Sequence, residues 1–338
     1  MRLRRSGPAG GRLIIAALLV CSALVCAACS TAAGIAPGGQ GPARGSVVIT
    51  AGNTSGVYYA WSQQLAQQLK ITNPRLRVVI HRSDGSVQNL ERLRDGTADL
   101  ALTTVDATER PTRDDISPTA ADVEDVVAAR SAPLRALGRI YDDYVHIVVR
   151  ADSPLHTVAD LAGRRVAVNT PGSGTALVAG RVLKAAGISV IESDLGVADG
   201  MAALEQQKLD AVIWSGGIPT PSIAATAGRT KLRLLPLGDL ASTLRATFGS
   251  VYRPATIPPG RYPGTEEVAT LASANLLVAR ADADSAMVRA VLSTIFDRRD
   301  AIGAHVPAAN ATDRRTAIWT GKLDLHPAAL EYYRRTKP

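Results

Sequence analysis

The segment Asn169-Thr170-Pro171-Gly172-Ser173-Gly174-Thr175 has the residue types and spacing to hold a small anion. It follows the apolar run Arg165-Val166-Ala167-Val168 and precedes an alanine-rich stretch, Ala176 to Ala186, an order that predicts strand, glycine-rich turn and helix. The glycines let the backbone turn tightly and approach a ligand. Ser173 and Thr175 suit a helix N-cap, where hydroxyls and backbone N–H groups unused by the helix favour negative charge. The nucleotide P-loop needs a Lys where Gly174 stands, and the dinucleotide fingerprint needs a Gly where Val178 stands. A plain strand-to-helix connection is the alternative at this point.

Other polar turns share the pattern. Gly52-Asn53-Thr54-Ser55-Gly56 is a second glycine-bounded turn, and Ser86 opens a further segment of helical spacing. Trp214-Ser215-Gly216-Gly217 superficially suggests a nucleophile elbow, but Ile213 stands where that motif requires Gly. No Ser-His-Asp signature, activated nucleophile or metal-ligand spacing of the five His is visible. No cysteine follows Cys29, which excludes an internal disulfide and a cysteine metal site in the remainder. Asp142-Asp143 reads as a solvated pair, and Arg139, Arg150 and Arg253 are reserve cations for a carboxylate.

These turns need strands and helices to carry them. Val47 to Ala51 reads as a β-branched strand, followed by a helix bearing Tyr58, Trp61, Leu65 and Leu69. Trp61 reads as core. Leu76 to Ile80 is the next strand, and Val87, Leu90 and Leu93 mark a helix ending at Asp95-Gly96. Asp99 to Thr103 is a third strand. Thus three strands each lead to a polar turn, and ligands of open α/β sheets bind beyond such carboxyl ends. Val145 to Asp152 and Asn275 to Asp282 echo each other as strands ending in Arg-Ala-Asp. They predict two crossings between lobes. The lobe between them alternates: strand at Val166, helix from Thr175, strand near Val190, helix Val197 to Gln207, strand Ala211 to Trp214. Residues 253–264, rich in Pro and Gly, read as a long loop. Ser285 to Ile302 reads as one helix and Ala328 to Arg335 as a short final one.

The chain has 338 residues and a net charge of +8. Arg2, Arg4, Arg5 and Arg12 lie in a first stretch free of acids, and without them the charge is +4. That mild balance, without basic clusters, argues against nucleic acid. The basic start and the apolar run from Leu13 to Ala28 read as a secretory signal. Cys26-Ala27-Ala28-Cys29-Ser30 resembles a bacterial lipobox with Cys29 as the lipidated residue, although Cys26 stands where Leu is usual. Residues 1–29 are thus expected to be a lipoprotein signal and 30–45 a flexible tether.

Taken in order, several motifs resemble those of the TAXI-type solute-binding subunits of TRAP transporters. They are Gly52-x-x-x-Gly56-Val57-Tyr58-Tyr59, Gly85 to Leu90, Leu93 to Ala101, Asp160 to Val166, Pro171 to Thr175 and Trp214 to Pro221. The resemblance implies a two-lobed α/β type II periplasmic-binding fold with a two-segment hinge and an interlobe cleft. Lobe 1 would comprise 46–148 and 275–338, and lobe 2 149–274. It implies no enzymatic activity and no cofactor, and a monomer that captures a small carboxylate or an amino acid such as glutamate. The ligand would pass to membrane permease subunits while the protein stays exported, lipid-anchored on the outer face of the cytoplasmic membrane. The expected ligand contacts are Asn53, Thr54, Ser55, Tyr58, Ser86, Asp106, Ser173, Gly174, Thr175, Trp214, Ser215 and Gly217. Asp106 would keep the family's acid for a ligand ammonium, although Thr103-Thr104-Val105 departs from the family's Gln-containing loop. A secreted α/β enzyme and a sensory or partner-docking protein on the same fold are the alternatives.

Overall fold

The computed structural model describes residues 43–109 and 133–336. The expected signal segment, Cys29 and the tether up to residue 42 lie outside the described residues. Ala43 is already buried and the first strand opens at Gly45, so the last positions assigned to the tether belong to the folded part.

The first half starts with β1 (Gly45–Thr50), α1 (Val57–Thr72), β2 (Leu76–His81), α2 (Ser86–Arg94), β3 (Leu100–Thr104) and the short α3 (Val105–Thr108). Helix α1 forms because Trp61, Leu65 and Leu69 recur on one face, and all three are fully buried. It stops at Asn73, the residue before Pro74, where a proline disfavours helical backbone. Strand β4 (Leu134–Arg150) then crosses the molecule. The second half holds β5 (Arg165–Ala167), α4 (Gly174–Ala186), β6 (Ile191–Ser193), α5 (Val197–Glu205), β7 (Ala211–Gly216), α6 (Pro221–Ala227), β8 (Leu232–Leu234), α7 (Ala241–Phe248) and β9 (Arg253–Ile257). Strand β10 (Val268–Arg280) returns. It leads to α8 (Ser285–Asp297), α9 (Arg299–Gly303), α10 (Arg314–Ala317) and α11 (Pro327–Arg335).

One ten-stranded sheet runs in the order β2-β1-β3-β10-β4-β7-β5-β6, with β8 beside β4 and β9 beside β10. Its two ends are parallel: β1 pairs with β2 and β3, and β5 pairs with β6 and β7. The two long crossings pair antiparallel with each other at the centre, with Asp143 opposite Ser273 and Tyr141 opposite Asn275. The α/β class and the two crossings expected from the Arg-Ala-Asp echo are therefore present. Valine, leucine and isoleucine from β1 and β3 pack with Val288, Val291 and Ile295 of α8 in the first half. Val197, Met201, Leu204 and Ile223 cover Val212 in the second.

Three segments depart from the sequence reading. The supposed loop 253–264 begins with β9, because its backbone finds a partner in β10. The helix from Ser285 breaks at Arg298, whose φ of −115° and ψ of 16° leave the helical region. Strand β4 starts eleven residues before Val145, since the polar pair Asp142-Asp143 sits inside the sheet instead of preceding it.

Candidate functional site

The turns after β1, β2, β5 and β7 converge at the carboxyl ends of the parallel strands. Together with β4 they enclose a cavity of about 450 Å³, including its opening to solvent. Residues of both halves line it: Asn53, Tyr58, Asp84 and Ser86 from the first, Asn169, Ser173, Gly174, Thr175, Trp214 and Ser215 from the second, and Asp143 from the central strand. No Lys, Arg or His is among the lining residues.

Local sequence explains how each group is held. Ser173 is the N-cap of α4, and its Oγ accepts from Ala176 N–H at 3.0 Å. The N–H groups of Gly174 and Thr175, first in that helix, have no carbonyl to bond within it. Thr175 does not cap. Its Oγ1 accepts from Ser215 N–H at 3.2 Å and faces Ser215 O at 3.4 Å, which ties α4 to β7. Helix α1 begins after Gly56 without a side-chain cap, so its first N–H groups are likewise unused by the helix. Helix α2 differs: Val87 and Gln88 donate their N–H groups to Gly172 O at 3.1 and 3.2 Å, a backbone link from one half to the other.

Ser86 is not a cap either; Gly85 holds that position. The single hydrogen of Tyr58 OH goes to Asn275 Oδ1, so Ser86 Oγ donates to Tyr58 across 3.2 Å. Ser86 Oγ in turn accepts from Thr104 N–H at 3.1 Å and Thr104 Oγ1 at 3.3 Å. The Ser86 hydroxyl is thus committed to the protein, where it helps to hold Tyr58. Burial, followed by the charge of Asp143, raises the Tyr58 pKa well above its ordinary value, so the phenol stays a neutral donor.

Glycine is required at two of these contacts. A Cβ on Gly174 would lie 2.7 Å from Ser86 Oγ and 3.2 Å from Thr104 Oγ1. Gly85, at φ +136°, faces the Ser173 backbone, where a Cβ would stand 3.3 Å from Cα. Trp214 contributes its ring to the wall and anchors it by donating Nε1–H to Thr220 Oγ1 at 3.0 Å.

Of the twelve expected contacts, Asn53, Tyr58, Ser86, Ser173, Gly174, Thr175, Trp214 and Ser215 line the cavity. Thr54, Ser55, Asp106 and Gly217 are not among its lining residues. Thr54 is exposed, and Ser55 turns back to donate to Asn53 Oδ1. Gly217 instead packs against Ala308 and Val57. Asp106 is buried close to the lining residues Asp143 and Tyr58, accepting from Tyr252 OH at 2.5 Å with Arg181 Nη1 at 3.8 Å. The reserve arginines are also committed: Arg139 and Arg253 pair with Asp142, and Arg150 pairs with Asp152.

The pair Asp142-Asp143 is not solvated. Asp143 is 5% exposed and lines the cavity with the Asn275 amide beside it, and neither Asp143 Oδ1 nor Asn275 Nδ2 has another partner. Burial pushes its carboxyl up to about 7, reinforced by Asp142 and Asp106 and opposed by the neighbouring Asn275 amide. Sequence spacing held one clue, since Tyr141, Asp143 and Val145 share a strand face.

Among solved structures the chain is similar to the periplasmic aliphatic sulphonate binding protein SsuA from Escherichia coli, at 20% identity over 86% of this chain and 79% of that one, with a TM-score of 0.45. It is also similar to a putative L-cystine ABC transporter from Listeria monocytogenes, at 11% identity over 79% and 98% of the two chains, with a TM-score of 0.47. The GluR0 ligand-binding core from Nostoc punctiforme in complex with L-glutamate matches at 16% identity over 76% and 97%, with a TM-score of 0.44. The model of the NMT1-like family spans residues 49–336, nearly all of the described fold, and the chain belongs to that family.

Proposed function

We propose that this chain is the extracytoplasmic solute-binding lipoprotein of a TRAP-type secondary transporter of the TAXI kind. It captures a small carboxylate or an amino acid of glutamate type between its halves and delivers it to membrane permease subunits. The observation that carries this reading is the convergence of the N-termini of α1 and α4 on one cavity that has no side-chain cation. Helix N-termini offer unused N–H donors and positive dipole ends, which bind a carboxylate without a dedicated Arg. The signal segment, lipobox and tether of the sequence supply export and anchoring.

Binding without turnover fits the same geometry. The lining holds no His, Cys or Lys to activate a nucleophile, and the hydroxyls of Ser86 and Thr175 are tied to protein groups. The test is a thermal-shift screen of small carboxylates and amino acids, followed by calorimetry on Ser173→Ala. At least one compound raises the melting temperature. Loss of the Ser173 cap and hydroxyl then weakens its binding by about 1–2 kcal/mol. A screen without any stabilising compound sinks the reading.

A further inference from the structure

Behind the wall that Trp214 gives the cavity runs a chain of buried polar groups that the binding reading does not use. It starts at His146 on β4, which pairs with Trp214 in the β4–β7 register. His146 Nδ1 stands 2.8 Å from Tyr144 O, which can only accept, so Nδ1 carries the hydrogen. Nε2 is then an acceptor, and Tyr262 OH donates to it at 2.8 Å. The Tyr262 oxygen accepts from Thr220 N–H at 3.0 Å. Thr220 Oγ1 donates to Gly217 O at 2.8 Å and accepts the Trp214 indole Nε1–H at 3.0 Å. Each hydrogen along the chain therefore has one direction. His146, Thr220 and Tyr262 are buried, and none of them is among the cavity's lining residues. Burial pushes the His146 imidazole down to about 4, so it is neutral near pH 7 and the directions hold there. The indole also lies against residue 216, where a Cβ would stand 2.6 Å from Trp214 Cε2, so only glycine leaves room for the ring.

We propose that Thr220, Tyr262 and His146 position the Trp214 ring as a rigid stop, and that this stop sets the longest ligand the cavity accepts. The size limit rests on the solute-binding reading and deepens it; the positioning role does not. An indole has one polar atom, so a single fixed acceptor selects one orientation of the ring. Thr220 cannot follow a ring that turns, because its hydroxyl is held by Gly217 O and its N–H by Tyr262. A turned ring would leave a buried N–H without an acceptor. A yielding wall makes room for one more methylene, whereas a fixed wall refuses it. Thr220, Tyr262 and His146 are positioning residues: they touch the wall and not the ligand. The reach of the cavity is thus set from β4 and from the loop between β9 and β10, out of contact with anything bound.

The experiment has two readouts on the full chain. The first needs no ligand. The chain has three tryptophans, so its nitrogen-15 spectrum holds three indole N–H signals, and Trp214→Phe identifies one of them. In the parent the Trp214 indole hydrogen exchanges with solvent at least about tenfold more slowly than that of the partly exposed Trp319. Thr220→Val keeps the shape without the hydroxyl and speeds Trp214 exchange about tenfold. Tyr262→Phe does the same, Thr220→Ser retains the parent rate, and the fully buried Trp61 of the other half is unaffected by all three. The Thr220 pair carries the test if Tyr262→Phe fails to fold. The second readout is calorimetry with straight-chain L-amino acids from alanine to norleucine and straight-chain dicarboxylates from succinate to pimelate. In at least one series, parent affinity falls about tenfold or more at a single methylene step. Thr220→Val spreads that fall so that no step exceeds about threefold, and Thr220→Ser keeps it sharp. Parent-like exchange in Thr220→Val, or Thr220→Ser behaving as Thr220→Val does, overturns the positioning role. Faster exchange at Trp61 together with Trp214 overturns it too, since the whole fold would then have loosened. Binding without a sharp step, or a step that Thr220→Val keeps, overturns the size limit and leaves solute capture intact. Failure of every compound to bind overturns the size limit and the solute-binding reading together, while indole exchange still decides the positioning role.

Discussion

Burial raises the Asp143 carboxyl from 3.8 to about 7, so the folded chain holds that proton more tightly than the unfolded chain. The stability this confers is complete below 3.8 and is lost as the pH climbs through about 7. At ~1.4 kcal/mol per tenfold, a rise of that size is worth about 4 kcal/mol. Asp143→Asn keeps the shape and cannot ionise. Without ligand, the variant is therefore more stable than the parent by about 4 kcal/mol at pH 8, and the gap closes toward pH 4. Urea unfolding at both pH values measures it; a gap of equal size at each would mean that the carboxyl is solvated after all. This residue was hidden in the sequence because its burial is decided by Ser273 and Asn275, which reach it only through the β4–β10 register. Trp61 and Ser173 were legible because periodicity and capping are local.

The elements that build the cavity are strand-to-helix turns, and their chemistry is written within five or six consecutive residues. Glycine followed by Ser or Thr before a helical repeat marked the starts of α2 and α4. Segments whose order depends on distant partners were not legible: β9 exists because β10 lies beside it, and β8 because β4 does. Which turns would touch was also invisible. The meeting of α2 and α4 at Gly85, Ser86, Ser173 and Gly174 is a contact between halves, and it leaves no room for one methyl group. Gly174→Ala therefore separates the two helix starts. Its Cβ would stand 2.7 Å from Ser86 Oγ, a group already bonded on three sides and unable to swing aside. We expect amino-acid affinity to fall by at least about tenfold, with the far-ultraviolet circular dichroism unchanged. Parent-like affinity in Gly174→Ala would show that the turn is only a connector.

At the scale of the molecule, contacts that need no ligand already join the halves. Besides the donation from α2 to Gly172, a buried triad spans them. Asp106 follows β3 in the first half, Arg181 lies on α4 in the second, and Tyr252 precedes β9. Tyr252 donates to Asp106 Oδ2 at 2.5 Å and accepts from Arg181 Nη1 at 3.0 Å. The side chains of Arg181 and Asp106 are 4% and 2% exposed. Separating the halves would return both charges to water, so the net contribution of the ion pair itself is small. The tyrosine is the more telling member, because its hydroxyl satisfies an acid that otherwise keeps one oxygen without a partner. Tyr252→Phe leaves that acid short of a donor only when the halves are together. An unmet hydrogen bond to a charged group costs roughly 1.5–3 kcal/mol, and this cost falls on the closed arrangement alone. The variant therefore populates an open arrangement. On the proposed solute-binding reading, apparent affinity drops in proportion to the closed fraction that is lost, because only closed molecules would make both sets of ligand contacts. Small-angle scattering of Tyr252→Phe without ligand should give a larger radius of gyration than the parent, and saturating amino acid should return it to the parent value. A variant as compact as the parent in both conditions would mean that the triad packs the fold without governing closure.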